Sequence, residues 1–262
     1  MAQGGPWKGI ALMRTRILSV LTLTLFCLGV AGSSGAGTIS DFSIQVGVAG
    51  SEMTISGDTL ANMSATVEED TQTGTVTLSN GSISNGSWEF TWDSIQFNPD
   101  PFVSFVGGFT NLLTTTTDFT LITTTPIAPL GPSSLIGGST TVSVSDANFD
   151  GIGTLANSAG LPGYSGTLDG AGALDLLDPF SLSVPFAGGT NSTTQSAGLP
   201  GPTIPDGPVA ATIGITHRFS LTGSDRATFN STFIVEIPEV GTLALMGSGF
   251  ALLAWRSRRS LH

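Results

Sequence analysis

Near the C-terminal end of this chain apolar residues recur at every second position, and that period decides the fold class. Ile213, Ile215, His217, Phe219 and Leu221 share one face of a segment. Gly223-Ser224-Asp225 turns the chain. Ala227, Phe229, Phe233, Val235 and Ile237 then share a face of the returning segment, with Thr228, Asn230 and Thr232 opposite. A period of two belongs to strands with one buried and one solvated face, and here it predicts a hairpin. Shorter alternating segments recur upstream, broken by Gly, Asn, Asp and Pro. They predict strands near 87–97, 102–112, 116–124 and 139–145. Ser79-Asn80-Gly81-Ser82 and Asn85-Gly86 supply turns before Trp88. No stretch carries a long amphipathic helical period. The expectation is an all-β chain, a single antiparallel β-sandwich of roughly ten to twelve strands, jelly-roll or Ig-like.

Residues 126–137 and 187–208 are rich in Pro, Gly, Ser and Thr and read as long loops within that domain. Ser158-Ala-Gly-Leu-Pro-Gly163 recurs as Ser196-Ala-Gly-Leu-Pro-Gly201, and Asp100-Pro-Phe102 is echoed by Asp178-Pro-Phe180. The two spacings differ, which excludes a simple repeat array.

Both ends differ from the middle. Residues 1–36 read as a secretory signal helix: Lys8, Arg14 and Arg16 are basic, Ile17 to Val30 is apolar, and Ser34-Gly35-Ala36 suits cleavage before Gly37. That segment implies passage through the Sec translocon. Cys27 follows Phe26, too large for a lipoprotein signal, and falls in the discarded part. Residues 37–237 are the exported domain. They hold no cysteine, so no disulfide supports them. They carry Arg218 and Arg226 against 18 carboxylates, a formal net charge of −16. Such a surface repels nucleic acid and anionic membrane.

Three groups of residues carry candidate chemistry. Asp146-Ala-Asn148-Phe-Asp150-Gly151 matches the first half of a calcium loop, in which alternate side-chain oxygens converge on one cation. The twelfth position is Asn157 rather than a bidentate glutamate, and an Asp/Asn/Gly cluster between strands also makes an ordinary turn. Trp88, Phe90 and Trp92 alternate on one strand. Exposed, Trp88 and Trp92 could stack on sugar rings; buried, the row is the centre of a core. The apolar pattern then shifts by one to Ile95 and Phe97, which predicts a bulge. His217 is the single histidine of the exported domain, with no G-x-S-x-G elbow to partner it, and reads as part of an apolar strand face. One histidine without cysteine does not make a zinc site.

The tail, 238–262, has three parts in order: Pro238-Glu239, an apolar uncharged run from Thr242 to Trp255, and Arg256, Arg258 and Arg259. As a helix the run is roughly 21 Å long against a hydrocarbon core of about 30 Å. It crosses as a single transmembrane helix if Val240 and Gly241 join it and the arginines snorkel. The arginines then stay cytoplasmic and leave the β domain outside.

This tail resembles the PEP-CTERM sorting signal of Gram-negative bacteria. Pro238, Glu239, Thr242, Leu243, Ala244, Leu245, Gly247 and the arginines stand where the pattern has them, and Val240 stands where it has a second proline. The resemblance implies recognition and processing by an exosortase, anchoring in the inner membrane before processing, and a destination in the cell envelope, at the cell surface or in the extracellular polysaccharide matrix. The expected function is a structural or adhesive exported protein, not an enzyme, without a cofactor unless the Asp146 loop takes calcium. The alternatives are a carbohydrate-binding module using Trp88 and Trp92, or a secreted hydrolase of the matrix, which needs two carboxylates within about 10 Å across an open cleft.

Overall fold

The computed structural model describes residues 39–98, 101–158 and 160–237. Among them sixteen strands form two antiparallel eight-stranded sheets, with one short helix. The first sheet runs β2 (Ser51–Ser56), β1 (Ser43–Val48), β7 (Thr117–Pro126), β15 (Thr212–Leu221). The free edge of β15 is covered in tandem by β9 (Thr154–Asn157) and β10 (Tyr164–Leu168), which are backed by β12 (Ser181–Ser183) and β11 (Ala171–Leu176). The second sheet runs β3 (Ser64–Asp70), β4 (Thr75–Ser84), β5 (Trp88–Asn98), β6 (Phe102–Asn111), β16 (Arg226–Glu236), β8 (Ser134–Ser145). The far edge of β8 takes β13 (Thr190–Ala197) and β14 (Ile204–Asp206).

The sheets face each other across one core. Phe109 of β6 meets Phe119 of β7 at a ring-centroid distance of 4.5 Å and Phe219 of β15 edge-on at 5.4 Å. Phe229 of β16 lies 4.9 Å from Phe219 and 4.7 Å from His217. Trp88, Phe90 and Trp92 of β5 belong to the same core, and Phe90 stacks on Phe105 at 5.6 Å. Full burial of one such ring contributes about 1.5–3 kcal/mol.

The predicted C-terminal hairpin is a β-arch instead. β15 and β16 follow one another through the 222–225 turn, yet β15 pairs with β7 in one sheet and β16 with β6 and β8 in the other. Their apolar faces look at each other across the core. A hairpin would set the two faces side by side and leave both to be covered by something else; the arch covers each with the other. β6 and β7 make the same crossing between sheets. Ile237, assigned to the returning strand by its period, lies beyond β16 and is exposed.

The predicted bulge is present. Register between β5 and β6 shifts at Asp93, between Trp92 and Ser94, so Ile95 and Phe97 regain the core face. Opposite Asp93, Asn80 of β4 adopts φ 55°, and β4 keeps its register with β5 because it carries the compensating residue. The edge of the Trp92 indole lies where a Cβ on Gly81 would be, which is why that position takes no side chain. Trp92 Nε1 donates to Ser64 Oγ at 3.1 Å, and Ser64 Oγ donates to the Leu60 carbonyl at 2.7 Å. Leu60 is the buried apolar side chain of the helix α1 (Gly57–Met63), capped by Ser56 Oγ. That helix carries the chain from β2 in one sheet to β3 in the other.

Strands exceed the ten to twelve expected, in part because the stretch 187–208 contains β13 and β14. β13 reads Thr-Asn-Ser-Thr-Thr-Gln-Ser-Ala and is exposed along nearly all its length, so no alternation betrays it. Hydroxyl pairs hold it and its neighbours in register: Thr141 with Thr194 at 2.9 Å, Ser145 with Thr190 at 3.0 Å, and Ser143 with Thr228 at 2.5 Å. β8 likewise begins at Ser134, inside the stretch 126–137 read as loop. Among the described residues no helix is long and apolar enough to cross a membrane. The signal helix predicted over 1–36 and the tail 238–262 lie outside the described residues.

Candidate functional site

Four connections meet at one end of the sandwich: 112–116 after β6, 146–153 after β8, 184–189 after β12 and 222–225 after β15. Three side chains with almost no exposure hold them together, Asn111, Asp146 and Asp225. Asn111 ends β6. Its Nδ2 donates toward the carbonyls of Thr115, Leu221 and Thr222 at 2.9, 3.0 and 3.1 Å, and its Oδ1 accepts from Leu113 N at 3.0 Å. It thereby ties the first connection to the last.

Asp225 ties the last connection to the second. Its Oδ1 accepts from Ala147 N at 3.1 Å and its Oδ2 accepts from the Thr222 hydroxyl. Burial pushes the Asp225 carboxyl above its ordinary value; the two hydrogen bonds oppose this, and the nearby charges of Asp146 and Asp150 add to it. Asp146 ties the second connection to the third. Its Oδ2 accepts from Gly151 N at 2.7 Å and Gly188 N at 2.9 Å, its Oδ1 accepts from Asp150 N at 3.3 Å, and its own N–H donates to Gly189 O at 3.1 Å. Burial pushes the Asp146 carboxyl up, but these backbone donors outweigh it and the net shift is downward.

The side chains predicted to converge on calcium instead bind their own loop. Asn148 Oδ1 accepts from Asp150 N at 3.0 Å, while its Nδ2 donates to Asp150 Oδ2 at 3.0 Å and toward Gly223 O at 3.4 Å. Asp150 Oδ1 accepts from Ile152 N at 2.7 Å. Among the described residues no group of three or more His, Cys, Asp or Glu is placed to hold a metal ion. In this structure Asp146, Asn148 and Asp150 make the hydrogen bonds of an Asp/Asn turn. Of the three carboxylates here only Asp150 is exposed, so no two of them face an open cleft as a hydrolase would require.

Trp88 and Trp92 are each 1% exposed. Neither offers a ring face to a sugar, and the carbohydrate platform proposed for them is replaced by the core role. The aromatic side chains that do meet solvent were not singled out by their sequence pattern. Phe149 is 73% exposed, Phe186 66% and Ile152 64%, all three on the second and third connections. Phe149 sits inside the Asp/Asn/Gly turn and Phe186 just before Gly188-Gly189; neighbours that build tight turns were the available signal.

His217 is buried and fully engaged. Its Nδ1 lies 3.1 Å from Gly163 O and its Nε2 3.0 Å from Ser231 Oγ, which lies 2.8 Å from Thr140 Oγ1. One assignment satisfies every atom: Nδ1–H donates to the carbonyl, and Nε2 accepts from Ser231 while Ser231 accepts from Thr140. Burial outweighs the Gly163 bond and pushes the imidazole down to about 4. A Ser–His contact thus exists, but it is sealed between the sheets with a peptide carbonyl in place of a carboxylate, and no substrate reaches it. Pro238, Glu239, Arg256, Arg258 and Arg259 lie outside the described residues.

No family model matches this chain, and no curated protein matches it. Among solved structures, the carbohydrate-binding module TmCBM61 in complex with β-1,4-galactotriose aligns at 10% identity and a TM-score of 0.24, covering 66% of this chain and 88% of its own. The enzymatically active domain of tailspike protein 4 from bacteriophage CBA120 aligns at 13% identity and a TM-score of 0.23, covering 79% of this chain, which spans only 21% of that one. Likeness at this level carries no functional argument.

Proposed function

We propose that this chain is an exported, non-catalytic protein of a Gram-negative cell envelope or extracellular polysaccharide matrix, delivered by a PEP-CTERM-type tail, with a structural or adhesive role. The observation that carries the reading is the order of the last residues: Pro238-Glu239, the apolar run Thr242 to Trp255, then Arg256, Arg258 and Arg259. β16 supports it. This central strand ends at Glu236, so the motif begins two residues past the sandwich, with no linker domain between. In this reading the Sec translocon exports the chain and the tail holds it in the inner membrane as a transmembrane helix. An exosortase then recognises Pro238-Glu239, and the β domain is presented outside.

The test is intact mass and cell fractionation of the native protein beside Glu239→Ala. The expected result is a wild type recovered at the surface or in the medium without its last ~25 residues (a span set by the motif and one membrane-crossing helix). The variant stays uncut in the inner membrane. Tails retained equally in both would make the segment a plain anchor and overturn the sorting reading.

A further inference from the structure

We propose that the loop end carrying Phe149 and Phe186 binds neutral polysaccharide. That this contact is the adhesive function of the exported domain rests on the reading above; the binding itself does not.

Exposure of these rings is built in. Phe149 adopts φ 64°, the left-handed region, which is unfavourable for a non-glycine residue. The neighbouring backbone holds it there, because Asp150 N and Gly151 N are both bonded to the Asp146 carboxylate. The ring rests over Gly188, where a Cβ would come within 2.6 Å of Phe149 Cε1, and Gly188 N is bonded to the same carboxylate. The ring is therefore backed along one side by the 184–189 connection while most of the residue stays open to water. Phe186 stands on that same connection, in the turn closed by Gly189 N to Phe186 O at 2.8 Å. Both rings thus stand on turns fixed by hydrogen bonds to the Asp146 carboxylate and to backbone, which lowers the ordering that a ligand must impose.

The surroundings select the ligand class. The 146–153 connection also borders an open depression of about 380 Å³ lined by Thr114, Thr116, Asn148, Asp150, Ile152 and Ser224. Hydroxyls, an amide and a carboxylate serve the hydroxyl groups of a sugar, and Ile152 takes a C–H face, while Phe149 and Phe186, outside the depression but on connections at the same end, offer their rings to further units of a chain. No basic side chain lines the depression, and the exported region carries −16, so polyuronates, phosphates and anionic lipids are disfavoured.

The full chain, purified in a detergent without a sugar headgroup, would be applied to an array of glucans, galactans, mannans and xylans with polyuronates beside them. Phe149→Gly is the informative variant, because glycine accepts the left-handed backbone and leaves the loop unstrained. The expected result is binding to at least one neutral class, weakened about tenfold or more by Phe149→Gly combined with Phe186→Ala, at an unchanged melting temperature. Binding to no neutral class, binding to polyuronates alone, or binding that survives the double substitution would each overturn the proposal. The array reads the β domain whether or not the tail is processed, so its failure leaves the sorting reading intact, and a failed sorting experiment leaves the array result intact.

Discussion

His217 shows how a residue's neighbourhood sets its chemistry. In the fold its ring is neutral down to about pH 4, while an unfolded chain protonates it below its ordinary value of 6.5. Between those values the unfolded state binds the extra proton. The contribution of His217 is therefore complete above pH 6.5, is lost as pH falls, and is gone below about 4. The loss reaches about 3 kcal/mol if the shift is fully realised. Asp225 works in the opposite sense, since its carboxyl is raised and acid relieves its buried charge. The clean measurement is thus a difference. Melting curves of the wild type and His217→Gln, taken from pH 7 to pH 4, should converge as the wild type loses its advantage; parallel curves would show that the ring does not titrate as its burial requires.

At the level of elements, the connections matter more than the strands. β6 to β7 and β15 to β16 both pass between sheets, and their turns are stacked and tied by one side chain. Asn111 reaches Thr115, Leu221, Thr222 and Leu113 from a position with no solvent exposure. Asn111→Ala would strand the buried Leu221 carbonyl and unpair the half-buried Thr222 carbonyl and Leu113 N–H, at a cost of about 1–3 kcal/mol. Hydrogen exchange should show faster opening of the amides of Leu113 and Ser224 in that variant, since Ser224 N donates to Leu113 O within the tied pair of turns. Protection unchanged from wild type would mean that the turns hold without the Asn111 bracket.

Over the whole molecule the dominant electrostatic fact is imbalance. Two arginines face 18 carboxylates in the exported region. β3 shows one use of this charge: Glu68, Glu69 and Asp70 are exposed along an edge strand, where negative side chains discourage pairing with another chain. The cost is self-repulsion, largest at low ionic strength, where screening extends over tens of ångströms. Raising sodium chloride from about 10 mM to about 500 mM should therefore raise Tm by a few degrees, by cutting the screening length several-fold. A Tm that falls with salt would show that specific charge contacts outweigh the repulsion.

The chain's own order of residues determined the all-β class, the extents of β5 to β7 within two residues, the course of β15 and β16, and the bulge after Trp92. Each of these is local: a period of two, a shift in that period, or a turn residue speaks for itself within a few positions. The same local pattern says that a face is buried, not what buries it. Only the tertiary structure decided that β15 and β16 face each other across the core rather than pair, because their partners β7, β6 and β8 lie far away along the chain. It also decided that the Trp88–Trp92 row points inward while Phe149 and Phe186 point out. β13 stayed hidden because a strand exposed on both faces has no apolar period to read. The local pattern shows the Asp146 turn but not its partner Gly188, 42 residues on, whose N–H reaches the carboxylate only once the sandwich has closed.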